Sequence, residues 1–182
     1  RVIGSGEIKK GDQIIVEKKK YRIASITLSN RAFNGIYEDL SGNKIKNYID
    51  EFVSQQNITS YYEYSLINDD PYKLEKKLNH YVENDYDVIF TTGGTGIGMH
   101  DITYEVVKNI IDKEIPGIMD YIRIKSAEQN INALISRSIS GVKKNTLIFA
   151  LPGNIKAIDD YMTIINKLLM HLIYMVNNLD TH

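Results

Sequence analysis

The chain has 182 residues, 43% of them hydrophobic, enough to bury one sizeable core, with one domain as the default. Lys and Arg number 22 against 23 Asp and Glu, a net charge of -1, so no bulk basic field attracts nucleic acid. Cysteine is absent, which excludes disulfides and thiolate metal sites and fits a reducing cytoplasm, and no apolar run approaches the ~20 residues of a membrane span.

Residues Arg1 to about Lys20 stand apart. Gly4, Gly6 and Gly11 break short stretches, and Ile14, Ile15 and Val16 run into Glu17-Lys18-Lys19-Lys20. This punctuation predicts a small hairpin or extended arm, with the lysines as a solvated linker. Gly-Glu-Ile-Lys-Lys-Gly-Asp-Gln-Ile resembles the closing strands of a MOSC domain. That likeness implies an arm over 1–20, left from a fusion to such a module, ahead of a main domain over 21–182. A start at Arg1 rather than Met raises the same expectation of a piece of a longer protein.

The main domain opens with a β-rich, mostly apolar strand, Arg22 to Leu28, and a polar loop from Ser29 to Asp39. Ser41 is placed to cap a helix that carries Ile45, Ile49, Phe52 and Val53 on one face. Ile58 to Ile67 reads as a second strand, closed by Asn68, Asp69 and Asp70. Pro71 suits a first helical position, with Leu74, Leu78 and Val82 as the apolar face of that helix. Val88 to Phe90 is a buried-type strand, and Val106, Val107, Ile110 and Ile111 mark the helix after it. A helix from near Pro116 would turn Ile118, Ile122 and Ile124 inward and Arg123 outward; Asn132 to Ser140 has no deciding pattern. Thr146 to Leu151 is another buried-type strand, followed by a long helix through Ile158, Met162, Ile165, Leu169, Leu172 and Val176. Alternating strands and helices predict an α/β fold, a parallel sheet with helices on both faces.

The most informative stretch runs from Asp87 to Thr103. Gly93, Gly94, Gly96 and Gly98 are interleaved with Thr91, Thr92 and Thr95, between a strand and a helix start. That order makes an anion site, because glycines let backbone N–H groups close on a phosphate. The plain alternative is a strand-to-helix turn capped by Asp101 or Thr103. Gly98 is followed by Met99-His100 rather than a P-loop lysine, and the spacing G-x-G-x-G is not the dinucleotide fingerprint. Ligands of parallel sheets bind beyond the carboxyl ends of the strands, so the loops after Leu28, Ile67, Phe90 and Leu151 should converge on one crevice. Asp69 and Asp101 fall on two of these loops. Two carboxylates at a phosphate cradle need a bridging cation, which suggests Mg²⁺, while each also fits a helix cap. Leu151-Pro152-Gly153-Asn154 offers a second helix N-terminus to an anion or a plain turn, and Arg137 offers a fork for a phosphate. The histidines show no ligand-like spacing, so no His-based metal site is expected.

In this order the motifs resemble the MoaB/Mog family of molybdopterin adenylyltransferases. The matching pieces are Ser29-x-Arg31-Ala32-x-x-Gly35-x-Tyr37-x-Asp39, Leu66-Ile67-x-Asp69, and the block from Thr91-Thr92-Gly93-Gly94-Thr95-Gly96 through Gly98 and Asp101 to Thr103. Pro116-Gly117, Arg123, Ser126, Ser136-Arg137, Gly141 and Leu151-Pro152-Gly153 continue the likeness. The resemblance implies a three-layer α/β/α fold with a mostly parallel sheet, usually a homotrimer. It implies transfer of AMP from Mg-ATP to the terminal phosphate of molybdopterin, with a molybdenum-insertion protein downstream. Asp69 and Asp101 would be the catalytic acids, and Thr92, Gly93, Gly94, Thr95 and Gly96 would hold nucleotide phosphates. Leu151, Pro152, Gly153 and Asn154 would help form the nucleotide pocket, with Ser126, Ser136 and Arg137 on the pterin or its phosphate. Asn30 stands where the family commonly has Asp, His100 where it often has Arg, Asp120, counted with the cofactor-binding residues, where it commonly has Glu, and Asn154-Ile155 for Ser-Pro. Those departures leave a non-catalytic molybdopterin-binding or scaffold module as the alternative. A weaker one is the related competence-damage family, which shares the fold.

Overall fold

The computed structural model describes Lys9, Gly11 and residues 19–179. The expected hairpin and its MOSC-like segment therefore lie almost wholly outside the described residues. Six strands form one sheet in the order β2-β1-β3-β6-β5-β4. They are β1 (Lys20–Leu28), β2 (Thr59–Ile67), β3 (Val88–Thr92), β4 (Lys113–Glu114), β5 (Ile139–Lys143) and β6 (Thr146–Leu151). The first three and β6 run parallel; β5 turns back against β6, and β4 pairs antiparallel with β5.

Residue parity sorts the strands into two cores. Tyr21, Ile23, Val88, Phe90, Leu147 and Phe149 pack on one side, against Ile45, Ile49 and Phe52 of α2 (Leu40–Gln55), Ile118 and Ile122 of α5 (Pro116–Ala127), and Ile158, Met162 and Ile165 of α6 (Ile155–Val176). Ala24, Ile26, Ile89, Ile148 and Ala150 face the other way, onto Leu74 and Leu78 of α3 (Pro71–Glu83) and Val107 of α4 (Thr103–Ile110). Strands covered on both faces need apolar residues at every position, which is why they read as continuous runs. The result is the expected three-layer α/β/α sandwich.

Local chemistry corrects several expectations. The polar loop after β1 contains a single helical turn, α1 (Asn30–Phe33), started by the Ser29 hydroxyl, which accepts from Ala32 N. Asp39, not Ser41, caps α2: its carboxylate accepts from Ser41 N and Gly42 N at 3.0 Å and from the Tyr64 hydroxyl at 2.6 Å. Arg123 turns inward, because carbonyls outrank water for its fork: Nη1 donates to Ser138 O at 2.8 Å, and Ile124 is the residue left exposed. Asp39→Ala is expected to cost about 2 kcal/mol, seen as a Tm lower by about 4–8 °C. Asp39→Asn, which still caps, should lose much less.

Candidate active site

The parallel strands deliver their carboxyl ends to one edge, and the backbone stitches the loops there together. Ser29 N donates to Ile67 O at 3.0 Å, joining the loops after β1 and β2. Gly93 N donates to Leu151 O at 3.1 Å, and the Thr92 hydroxyl donates to Pro152 O at 2.8 Å. Ser41 donates to Gly153 O at 2.8 Å, so the hydroxyl that does not cap α2 instead ties it to the second glycine turn. The expected convergence of the loops is therefore present.

Gly93 is the wedge of this edge. Its φ is +98°, and a Cβ there would sit 2.3 Å from Leu28 O. Gly94, at φ +64°, lies over Thr103, whose hydroxyl donates to Gly93 O at 2.8 Å while its N–H donates to Gly94 O at 2.9 Å. Buried Thr103 thus anchors the loop from beneath, a role its position as a candidate cap concealed. Among the described residues, no atom of the chain accepts the N–H groups of Gly94, Thr95 and Gly96, which leaves three consecutive donors for an anion.

Neither key aspartate is a helix cap. Asp70 caps α3 through Tyr72 N and Lys73 N, and α4 starts without a side-chain cap. Asp69 instead clasps Asn30: Asp69 N donates to Asn30 Oδ1 at 3.1 Å, and Asn30 N donates to Asp69 Oδ2 at 3.3 Å. Asp101 Oδ2 accepts from Gly98 N at 2.8 Å, closing the tip of the glycine loop. Each carboxylate keeps a second oxygen beyond these bonds. A carboxylate oxygen left open in this way is the kind of ligand magnesium takes, with phosphates and water completing its shell.

Three cavities open around this edge. One of about 470 Å³ is lined by Asp101, Gly98, Met99, Glu105 and Arg137, with Pro71 bringing in the loop that bears Asp69. A second, of about 260 Å³, is lined by Ser126, Ser136, Pro152 and Asn154 together with Asn130 and Asp160. The third, of about 340 Å³, holds Asp120 and Arg123 and shares Ser136 and Arg137. Asp120 pairs with Arg123 in that third cavity. Arg137 is turned onto the loop itself, with Nε on Gly96 O at 2.7 Å and Nη2 on Asp101 O at 2.9 Å. Its ion pair with Glu105 holds that carboxyl below the usual glutamate range. Asp160 escaped the sequence reading: a carboxylate on a helix face, and only the fold shows Ser126 donating to its Oδ2 at 2.8 Å.

A family model described as "Probable molybdopterin binding domain" matches residues 24–171. The chain belongs to the molybdopterin-binding domain family. It is similar to the molybdopterin adenylyltransferase of Helicobacter pylori strain 26695, 35% identical over 139 residues, 76% of this chain and 77% of that one. It is 37% identical over 114 residues to molybdenum cofactor biosynthesis protein B of Staphylococcus aureus strain Mu50, 61% of this chain and 68% of that one. Among solved structures, the molybdopterin biosynthesis enzyme MoaB of Thermus thermophilus superposes with a TM-score of 0.78 at 27% identity, covering 87% of this chain and 97% of that one. The glycine loop, both aspartates and the Leu-Pro-Gly turn all lie within the matched molybdopterin-binding domain. No helix of the described residues is long and apolar enough to cross a membrane.

Proposed function

We propose that this chain is a molybdopterin adenylyltransferase, working in molybdenum cofactor biosynthesis with ATP and molybdopterin as substrates. What carries the reading is a loop of three free amides, Gly94 to Gly96, with the Asp101 carboxylate against it, while Asp69 is held by Asn30 on the loop after β2; neither aspartate is spent on a helix cap. A terminal phosphate oxygen of molybdopterin attacks the α-phosphorus of ATP; the new P–O bond forms as the bond to pyrophosphate breaks, and pyrophosphate leaves with the electron pair. Such a step needs positioning and charge neutralisation rather than a covalent nucleophile. Thr92, Gly93, Gly94, Thr95 and Gly96 hold the nucleotide phosphates in this proposal, while Asp69 and Asp101 place the reacting groups. Magnesium, held by those two carboxylates with phosphate oxygens, would supply the positive charge that lets two anions approach. Asn30, a departure from the family pattern, supports an active site by holding Asp69 through both its backbone N–H and its carboxylate.

The cavity of Ser126 and Asp160 takes the pterin in this proposal. A pterin's aminopyrimidine edge presents a ring N–H beside an amino group, two donors that match one carboxylate, whereas adenine presents a donor beside an acceptor. Asp160 has one oxygen on Ser126 and the other to offer. Leu151, Pro152, Gly153 and Asn154 then stand where nucleotide and pterin sides meet. Asp160→Asn is expected to weaken molybdopterin binding by about tenfold to a hundredfold while leaving ATP binding unchanged, as measured by equilibrium titration of each.

The exposed apolar side chains Ile124, Ile131, Leu134 and Ile135 support an interface between copies of this chain, in keeping with the homotrimer the family resemblance implies. With ATP labelled in its α-phosphate, the label should pass to molybdopterin. Bound molybdopterin without label transfer would make the chain a binding module instead.

A further inference from the structure

We infer that Arg137 is a positioning residue that fixes the shape of the glycine loop before any substrate arrives, rather than a ligand of the substrate phosphates. Its kinetic consequence rests on the adenylyl-transfer reading; its structural consequence does not. Arg137 follows the 3-10 turn over Ile131–Ile135, so it approaches the loop from a different part of the chain. Its backbone N–H donates to Thr95 O at 2.8 Å. Its guanidinium then spans the loop: Nε donates to Gly96 O at 2.7 Å, Nη2 to Asp101 O at 2.9 Å, and Nη1 pairs with Glu105 at the start of α4. The same group lies 5.4 Å from the centroid of the Tyr104 ring.

Between the two carbonyls lies the exposed tip, Ile97 to His100, with Met99 92% exposed. Among the described residues, the hydrogen bonds that tie residues 95–101 to chain outside the loop all come from Arg137; the Gly98–Asp101 bonds close the tip only upon itself. Without the fork, the free amides of Thr95 and Gly96 and the carboxylate of Asp101 would have no fixed relation to one another. Three of the five guanidinium N–H donors, one on each nitrogen, already have acceptors, and Glu105 balances the charge. Swinging the whole fork to a phosphate would break the loop it holds. Lysine carries the charge on a compact ammonium and lacks the rigid planar fork that holds Gly96 O, Asp101 O and Glu105 in fixed relation.

The test is Arg137→Lys, followed by amide hydrogen exchange over residues 95–101 in the ligand-free protein and by steady-state kinetics. Positioning predicts exchange faster by about tenfold or more without ligand, and kcat lower by about tenfold to a hundredfold with KM for ATP changed less than about threefold. Unchanged exchange with a KM for ATP raised about tenfold or more would overturn the inference and make Arg137 a phosphate ligand. Should Arg137→Lys not fold, the wild-type chain decides through the Arg137 Nε–H signal in NMR. Positioning expects it slow to exchange in the free protein and unshifted by ATP; a signal that sharpens or shifts only on adding ATP contradicts it. A wild-type chain without adenylyl transfer, together with fast exchange in Arg137→Lys, would overturn the adenylyl-transfer reading and leave the positioning role standing.

Discussion

Asp101→Asn should leave the fold intact and lower the rate of adenylyl transfer by roughly a hundredfold or more. The amide oxygen of asparagine can still accept from Gly98 N, so the tip of the loop keeps its 2.8 Å closure. Nothing else in the fold depends on the charge, because Asp101 is not the cap of α4. What is lost is a hard anionic oxygen next to the free amides, the element that would bring a cation to the triphosphate. Melting within about 2 °C of wild type together with this loss in kcat is the expected pair of results. Wild-type turnover would remove Asp101 from the chemistry. Asp69→Asn should behave alike, with the Asn30 clasp to its backbone retained.

Gly93→Ala should be the most destabilising single change at this edge, by about 3–5 kcal/mol. The backbone at φ +98° is one that side-chain-bearing residues rarely adopt, and the added methyl would lie 2.3 Å from Leu28 O, a main-chain atom of β1. Neither strand can yield cheaply, since β1 and β3 pair in register through Thr27 and Thr92. Thermal unfolding should show a Tm lower by about 10 °C or more, and the surviving folded fraction should bind ATP poorly, because Gly94 to Gly96 hang from this residue. Gly98→Ala is the control: an added Cβ meets only Asp101 Oδ2, at 3.0 Å, on an exposed tip, and should cost little stability.

Much of the architecture was legible because buried parallel strands spell themselves as apolar runs. Val88 to Phe90 and Thr146 to Leu151 are strands, as expected, although the first continues through Thr91 and Thr92. Strand β4 was not legible, since Lys113-Glu114 is two exposed charges defined only by its partner. Strand β5 hid likewise, because Ser140 and Gly141 interrupt any pattern. For the site, residue types that bind anions announced themselves as glycine and aspartate, and the fold brought them to one edge. Choices between equivalent residues were not readable: Asp39 against Ser41, or Asp70 against Asp69, depends on which carboxylate lies within reach of two particular N–H groups. Arg123 and Arg137 follow the same rule, since carbonyls several residues away decide where a guanidinium turns.

The most direct test is pyrophosphate release on mixing the chain with Mg-ATP and freshly prepared molybdopterin. Release that requires both substrates and equals the molybdopterin adenylated is the expected result. Release from ATP alone, or none while molybdopterin remains bound, would contradict adenylyl transfer at this site.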